Sequence, residues 1–97
     1  MKMSFFLKIS VLSSFFLTGA AGSALVAGPQ CTKEPKAKWK DQVAFQKDLA
    51  TQGYKIKEFK ITDGNCYEIY GWNKDGKKVE IYFNPVTAAI VKEEIDS

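Results

Sequence analysis

An α+β fold, with one amphipathic helix packed on a three- to four-stranded antiparallel meander sheet, is predicted by three features of the sequence. A helical period opens at Trp39. A period of two governs Lys77 to Phe83. Between the strand-like segments stand short runs of Asn, Asp, Lys and Gly that favour tight turns.

The first 27 residues lie outside that domain. Met1 to Lys8 carries two lysines and no acid, Ile9 to Leu17 is apolar apart from three serines, and Thr18 to Ala27 is built almost wholly of small residues. This is the order of a secretory signal, and its apolar core is short for a spanning helix, which needs roughly 20 residues. Cleavage is expected between residues 22 and 27, with small residues favouring Gly22 or Ala24. Cutting after Ala27 would set the bulky Leu25 three residues before the bond. Gly28-Pro29-Gln30 before Cys31 is not a lipoprotein box. Once the signal is removed, no stable membrane insertion is expected, and the product is periplasmic or secreted.

Residues 28–38, with Pro29 and Pro35, read as an extended arm containing Cys31, and residues 39–97 form the domain proper. Cys31 and Cys66 are the only cysteines. Export puts them where a disulfide persists, and a domain this small has a marginal core, so the pair is expected to be bonded. The C-x-x-C spacing of redox-active pairs is absent.

From Trp39, a spacing of 100° per residue places Trp39, Val43, Phe45, Leu49 and Ala50 on one side and Lys40, Asp41, Lys47, Asp48 and Thr51 on the other. Gly53 is the expected left-handed cap, with Tyr54 folding back on the last turn. Strands are expected at Tyr54–Ile61, Cys66–Trp72 and Lys77–Phe83. In the first, Tyr54 and Ile56 are out of phase with Phe59 and Ile61, which implies a bulge near Lys57 and Glu58. Asp63-Gly64-Asn65 and Asn73-Lys74-Asp75-Gly76 supply the hairpin turns. Asn84-Pro85-Val86-Thr87 supplies a third turn, after which Ala88–Lys92 is read as a returning strand. In the third strand Val79, Ile81 and Phe83 should face the helix, with Tyr67 and Ile69 beside them.

Alternation then sends Cys66, Glu68, Tyr70 and Trp72, with Glu80 and Tyr82, to the other face. Tyr70, Trp72 and Tyr82 there form either a binding face rich in aromatics or a second small core covered by the Cys31 arm. Glu68 and Glu80 are either an acid/base pair of glycosidase type or two glutamates on a solvated sheet face.

Composition excludes much chemistry. The chain has no His and no Arg, and Ser97 is the only serine after the signal, so serine triads, Cys-His pairs and imidazole catalysis are ruled out. Neither Asp63 with Asn65 nor Asp75 matches a calcium-loop spacing, and turn formation explains all three. No cofactor and no metal are expected. Removing Lys2 and Lys8 from the 14 basic residues leaves them almost level with the 11 acidic ones, a balance unlike that of a nucleic-acid binder. Lys33, Lys36, Lys38 and Lys40 form a local basic segment, either a contact for an anionic surface or a solvated lead-in.

The tract Gly53 to Val91 resembles the PepSY domain family. The resemblance rests on the Gly-Tyr-x-Ile opening, the Cys-Tyr-Glu-Ile-Tyr strand, the Asp-Gly-Lys turn and the Asn-Pro-x-Thr turn before a short apolar strand. It implies a helix across an antiparallel sheet and a setting in the bacterial cell envelope or exterior. It also implies a non-catalytic binding or regulatory role toward a protein partner such as a protease or a redox protein. Asn84 stands where the family usually has Asp, and Ala88 where it usually has Gly. The alternatives are a carboxylate-dependent hydrolase using Glu68 and Glu80, or a lysine-arm module binding an anionic envelope surface.

Overall fold

The structure, a computed structural model, describes residues 28–96. The expected signal peptide, and with it the cleavage between residues 22 and 27, lies outside the described residues.

The order is a 3-10 turn at Lys36–Lys38, helix α1 at Gln42–Thr51, and strands β1 (Lys55–Ile61), β2 (Tyr67–Trp72), β3 (Lys78–Phe83) and β4 (Ile90–Ile95). The strands form one antiparallel meander, β1-β2-β3-β4, with α1 on one face. The fold class is the one predicted, with four strands.

The helix starts three residues later than its apolar period suggested. Trp39 is in phase with α1 but outside it, because the Lys40 backbone is already engaged: its N–H goes to Pro85 O at 2.8 Å and its carbonyl accepts from the Tyr67 hydroxyl. Asp41 therefore becomes the N-cap, its carboxylate accepting from Ala44 N at 3.0 Å. Only Phe45 and Leu49, one turn apart, are buried, while Val43 is 60% exposed and Ala50 is exposed too. Trp39 still reaches the core from its turn, edge-on to Tyr67 with ring centroids 5.7 Å apart.

The helix closes as expected. Gly53 has φ +104°, Tyr54 N–H reaches Leu49 O and Gly53 N–H reaches Ala50 O, both at 3.0 Å, which is a Schellman closure. The β1 register shifts between Ile56 and Glu58, so Lys57 is the bulge the phase change implied. Gly71 faces that irregularity, where a β-carbon would collide with the Lys55 carbonyl oxygen. Only glycine lets the two backbones come so close.

Phe45, Leu49, Tyr67, Ile69, Val79, Ile81 and Phe83 form the core, with Tyr54, Ile56, Phe59 and Ala88 packed against it. Phe45 sits at its centre, 5.0 Å from the ring centroids of both Tyr67 and Phe83. The helix-facing residues are thus those predicted. β4 is an edge strand with every residue exposed, Ile90, Val91 and Ile95 among them.

Ala88 adopts φ +68° in the loop from Asn84 to Ala89, a left-handed conformation that disfavours any residue with a β-carbon by about 1–2 kcal/mol. Two backbone hydrogen bonds hold it there: Ala88 N–H to Asn84 O at 2.7 Å and Asn84 N–H to Ala89 O at 2.8 Å.

Candidate functional site

The face of the sheet opposite α1 is where the chemistry-bearing side chains gather, and register explains the grouping. Glu68 pairs with Tyr82 and Tyr70 with Glu80 across the β2–β3 ladder, so two carboxyls and two phenols alternate like the squares of a board. Trp72 opposite Lys78 extends the row. On the β1 side Lys60 stands against Glu68 and Glu58 against Tyr70; on the β4 side Lys92 stands against Tyr82 and Glu94 against Glu80.

The arm covers one end of this face. Cys31 and Cys66 are bonded, with Cα atoms 5.0 Å apart. Polar contacts seat the same segment: Cys31 N–H on Gly64 O at 2.9 Å, the Asn65 side-chain amide on Thr32 O at 3.3 Å and the Asn84 side-chain amide on Cys31 O at 3.1 Å. Gly28 lies against Tyr82, where a β-carbon would stand 3.7 Å from the ring. After Cys31 the arm ends in the 3-10 turn, with Lys33, Lys36, Lys38 and Lys40 all exposed and the Lys36 ammonium 5.6 Å from the Trp39 ring centroid.

The three aromatics named from the sequence share this face but not its fate. Tyr82 sits beside the arm. Tyr70 and Trp72, at the other end, line an open groove of about 300 Å³ whose rim includes Lys57, Glu58, Lys78 and Glu80. Each of the three is half-buried. The arm thus lies against Tyr82 at one end of the face, while Tyr70 and Trp72 border the groove at the other.

Glu68 is the feature that sequence reasoning missed. Expected either to act with Glu80 or to point into solvent, it is only 4% exposed, and its Oε2 has no hydrogen-bond partner. Burial pushes its carboxyl above the ordinary value, the contact with Glu80 adding to the rise and Tyr70 and Lys60 opposing it. Glu80 moves the other way, held low first by its hydrogen bond with Glu68. The Tyr82 hydroxyl donates to Glu80 Oε2 at 2.9 Å; burial and then that bond push the phenol up to about 12. Tyr70 is raised well above its ordinary value, first by Glu80 and then by Glu68. Alternation assigned Glu68 to its face, but no local pattern shows that it is buried there.

Asn84 has a second role that its turn position concealed. Its Oδ1 accepts from Val86 N at 2.8 Å, as a turn residue's should, and its Nδ2 is the donor that clasps the arm. An aspartate could make the first contact and not the second.

Among the described residues no three His, Cys, Asp or Glu side chains are grouped to hold a metal ion, and no helix is long and apolar enough to cross a membrane. A family model described as "Peptidase propeptide and YPEB domain" matches residues 11–94. No curated protein and no solved structure matches the chain.

Proposed function

The chain belongs to the PepSY family of peptidase propeptide and YPEB domains, generally propeptide or regulatory modules, and from that premise we propose that it is a non-catalytic module that binds a protein partner through the outer face of its sheet. The observation that carries this reading is the groove at the free end of that face, where Tyr70 and Trp72 stand uncovered by the arm. Large aromatics with a polar tip contribute disproportionately to protein interfaces, because they bury much area and still satisfy a hydrogen bond. The opposite face is spent on packing against α1, and Tyr82 is engaged with the arm. In this reading the partner is an envelope protein, a protease or a redox protein, and the module is periplasmic or secreted. The Cys31–Cys66 bond supports such a compartment, since disulfides are rare in reducing ones.

The Glu68–Glu80 arrangement argues against a hydrolase. A glycosidase needs its two carboxyl groups about 5 Å or more apart, with the substrate bond between them. Here Glu68 is only 4% exposed, which leaves no room for a substrate bond beside it. The lysine arm as an anionic-surface anchor has no feature beyond its exposed charges to recommend it.

Tyr70→Ala and Trp72→Ala test the binding face. Pull-down from envelope extract with each variant should lose a partner that the parent protein retains, while the melting temperature stays unchanged. A large fall in stability together with full retention of the partner would remove these residues from the interface.

A further inference from the structure

Two carboxylates on adjacent strands of one sheet face repel each other, and the repulsion grows as water is withdrawn. Nature tolerates such a pair in a protein when a counter-charge neutralises it or a proton is shared. The groups facing Glu68 leave only the second course. From β1, Lys60 stands opposite in register, yet its ammonium lies over the Tyr70 ring, 5.3 Å from the centroid, and forms no ion pair with Glu68. Glu58, further along β1, adds negative charge beside Tyr70. From β4, Lys92 is paired with Glu94 at 3.3 Å. From β3, the Tyr82 hydroxyl is given to Glu80, and on β2 itself the Tyr70 phenol, two residues on, is a neutral group that acts on Glu80 before Glu68 and supplies no counter-charge. The arm brings Gly28, which has no side chain to offer. Oε2 of a carboxyl 4% exposed is thus left without a donor.

We propose that Glu68 and Glu80 hold one proton between them, Glu68 as the acid donating its O–H to the Glu80 carboxylate, and that this proton is a pH-sensitive clasp between β2 and β3 that also steadies the arm. The orphaned oxygen is then accounted for, because a carboxylic acid carries its own donor. The clasp reaches the arm by two routes. Tyr82, hydrogen-bonded to Glu80, is the ring against which Gly28 lies, and Cys66, two residues before Glu68, carries the covalent tether. This inference is independent of what the groove binds.

The two shifts have opposite signs in their effect on stability. Glu68, raised in the folded protein, contributes stability that is fully present below the unfolded glutamate value and is lost as pH rises through its folded value. Glu80, lowered, contributes stability present above the unfolded value and lost as pH falls through its folded value. Stability therefore peaks in the window where one proton is held.

Carbon-13 NMR of the side-chain carboxyls of the oxidised protein, followed against pH, reads the two groups separately. Glu68 should titrate above the ordinary glutamate range and Glu80 below it, with the Gly28 amide and Tyr82 ring resonances moving at the Glu68 midpoint. The urea midpoint of unfolding should fall on the alkaline side of its maximum. In Glu68→Gln, whose amide replaces the shared proton with a fixed donor, that alkaline fall should vanish. Titration of Glu68 at or below the ordinary glutamate value would overturn the shared proton. Gly28 and Tyr82 resonances that ignore the Glu68 midpoint would overturn its link to the arm.

Discussion

Truncating Ile81 to alanine tests whether the helix-facing side of the sheet has been identified correctly. Ile81 is fully buried on β3, an interior strand, between Ile69 of β2 and Glu93 of β4 in register, and it belongs to the cluster under Phe45 and Leu49. The substitution removes three carbons, which at about 0.8 kcal/mol each is a transfer loss of about 2.4 kcal/mol. Strands hydrogen-bonded on both sides hold the backbone apart, so much of the vacated space persists. If roughly 75 Å³ remained, at about 24 cal/mol per Å³ the cavity would add up to about 1.8 kcal/mol. A total of about 2.5–4 kcal/mol follows, and in a domain of this size each kcal/mol lowers the melting temperature by about 4–8 °C. Urea unfolding of the oxidised protein measures the difference directly. Val43→Ala, at a position 60% exposed on α1, is the control and should cost less than about 0.5 kcal/mol. An Ile81→Ala cost no greater than that of the control would mean that Val79, Ile81 and Phe83 face away from the helix, and the account of both sheet faces would be inverted.

Replacing Cys31 and Cys66 together by alanine should lower stability by about 4 kcal/mol, the chain-entropy value for a closed loop whose ends are 35 residues apart, and a loss below about 1 kcal/mol in equilibrium unfolding would contradict it. Asn84→Asp keeps the acceptor for Val86 N and deletes the donor to Cys31 O, so it should cost about 0.5–1.5 kcal/mol and speed hydrogen exchange in the arm. Unchanged exchange at Thr32 and Lys33 would show that the arm does not depend on that bond.

The elements whose identity depends on local period and turn chemistry were legible in the sequence. Val79, Ile81 and Phe83 alternate without interruption, the phase slip between Ile56 and Phe59 revealed the bulge at Lys57, and Asn65 and Gly76 occupy the positive-φ turn positions that their residue types suit. Trp39 misled because its spacing from Val43 is helical by coincidence; what excludes it from α1 is a tertiary bond between Lys40 and Pro85, 45 residues away along the chain. Ala88 was identifiable as a departure from the family's glycine, but whether it would take the strained conformation depended on the loop bonds at Asn84. The candidate site was legible as a face and not as an environment. Alternation assigns Glu68, Tyr70, Trp72 and Tyr82 to one side, whereas the division between a covered end and an open end arises from where the arm lies, which no local pattern encodes.

The covalent tether also decides how the domain would carry a pull. Tension applied at the arm would leave the backbone at Cys31 and enter the sheet through Cys66 at the start of β2, by-passing α1 and β1, which lie inside the closed loop and could release no length. At the other terminus Asp96 leaves β4 at the far end of the sheet, beside Lys78, whose carbonyl accepts its N–H at 2.9 Å. The start of β2 and the end of β4 are thus drawn in opposite directions across β3, so the two ladders are sheared and their hydrogen bonds resist together instead of parting one after another. A domain anchored through its arm and gripped at its C-terminus would behave as a stiff link, and reduction of one bond would turn it into an extensible one.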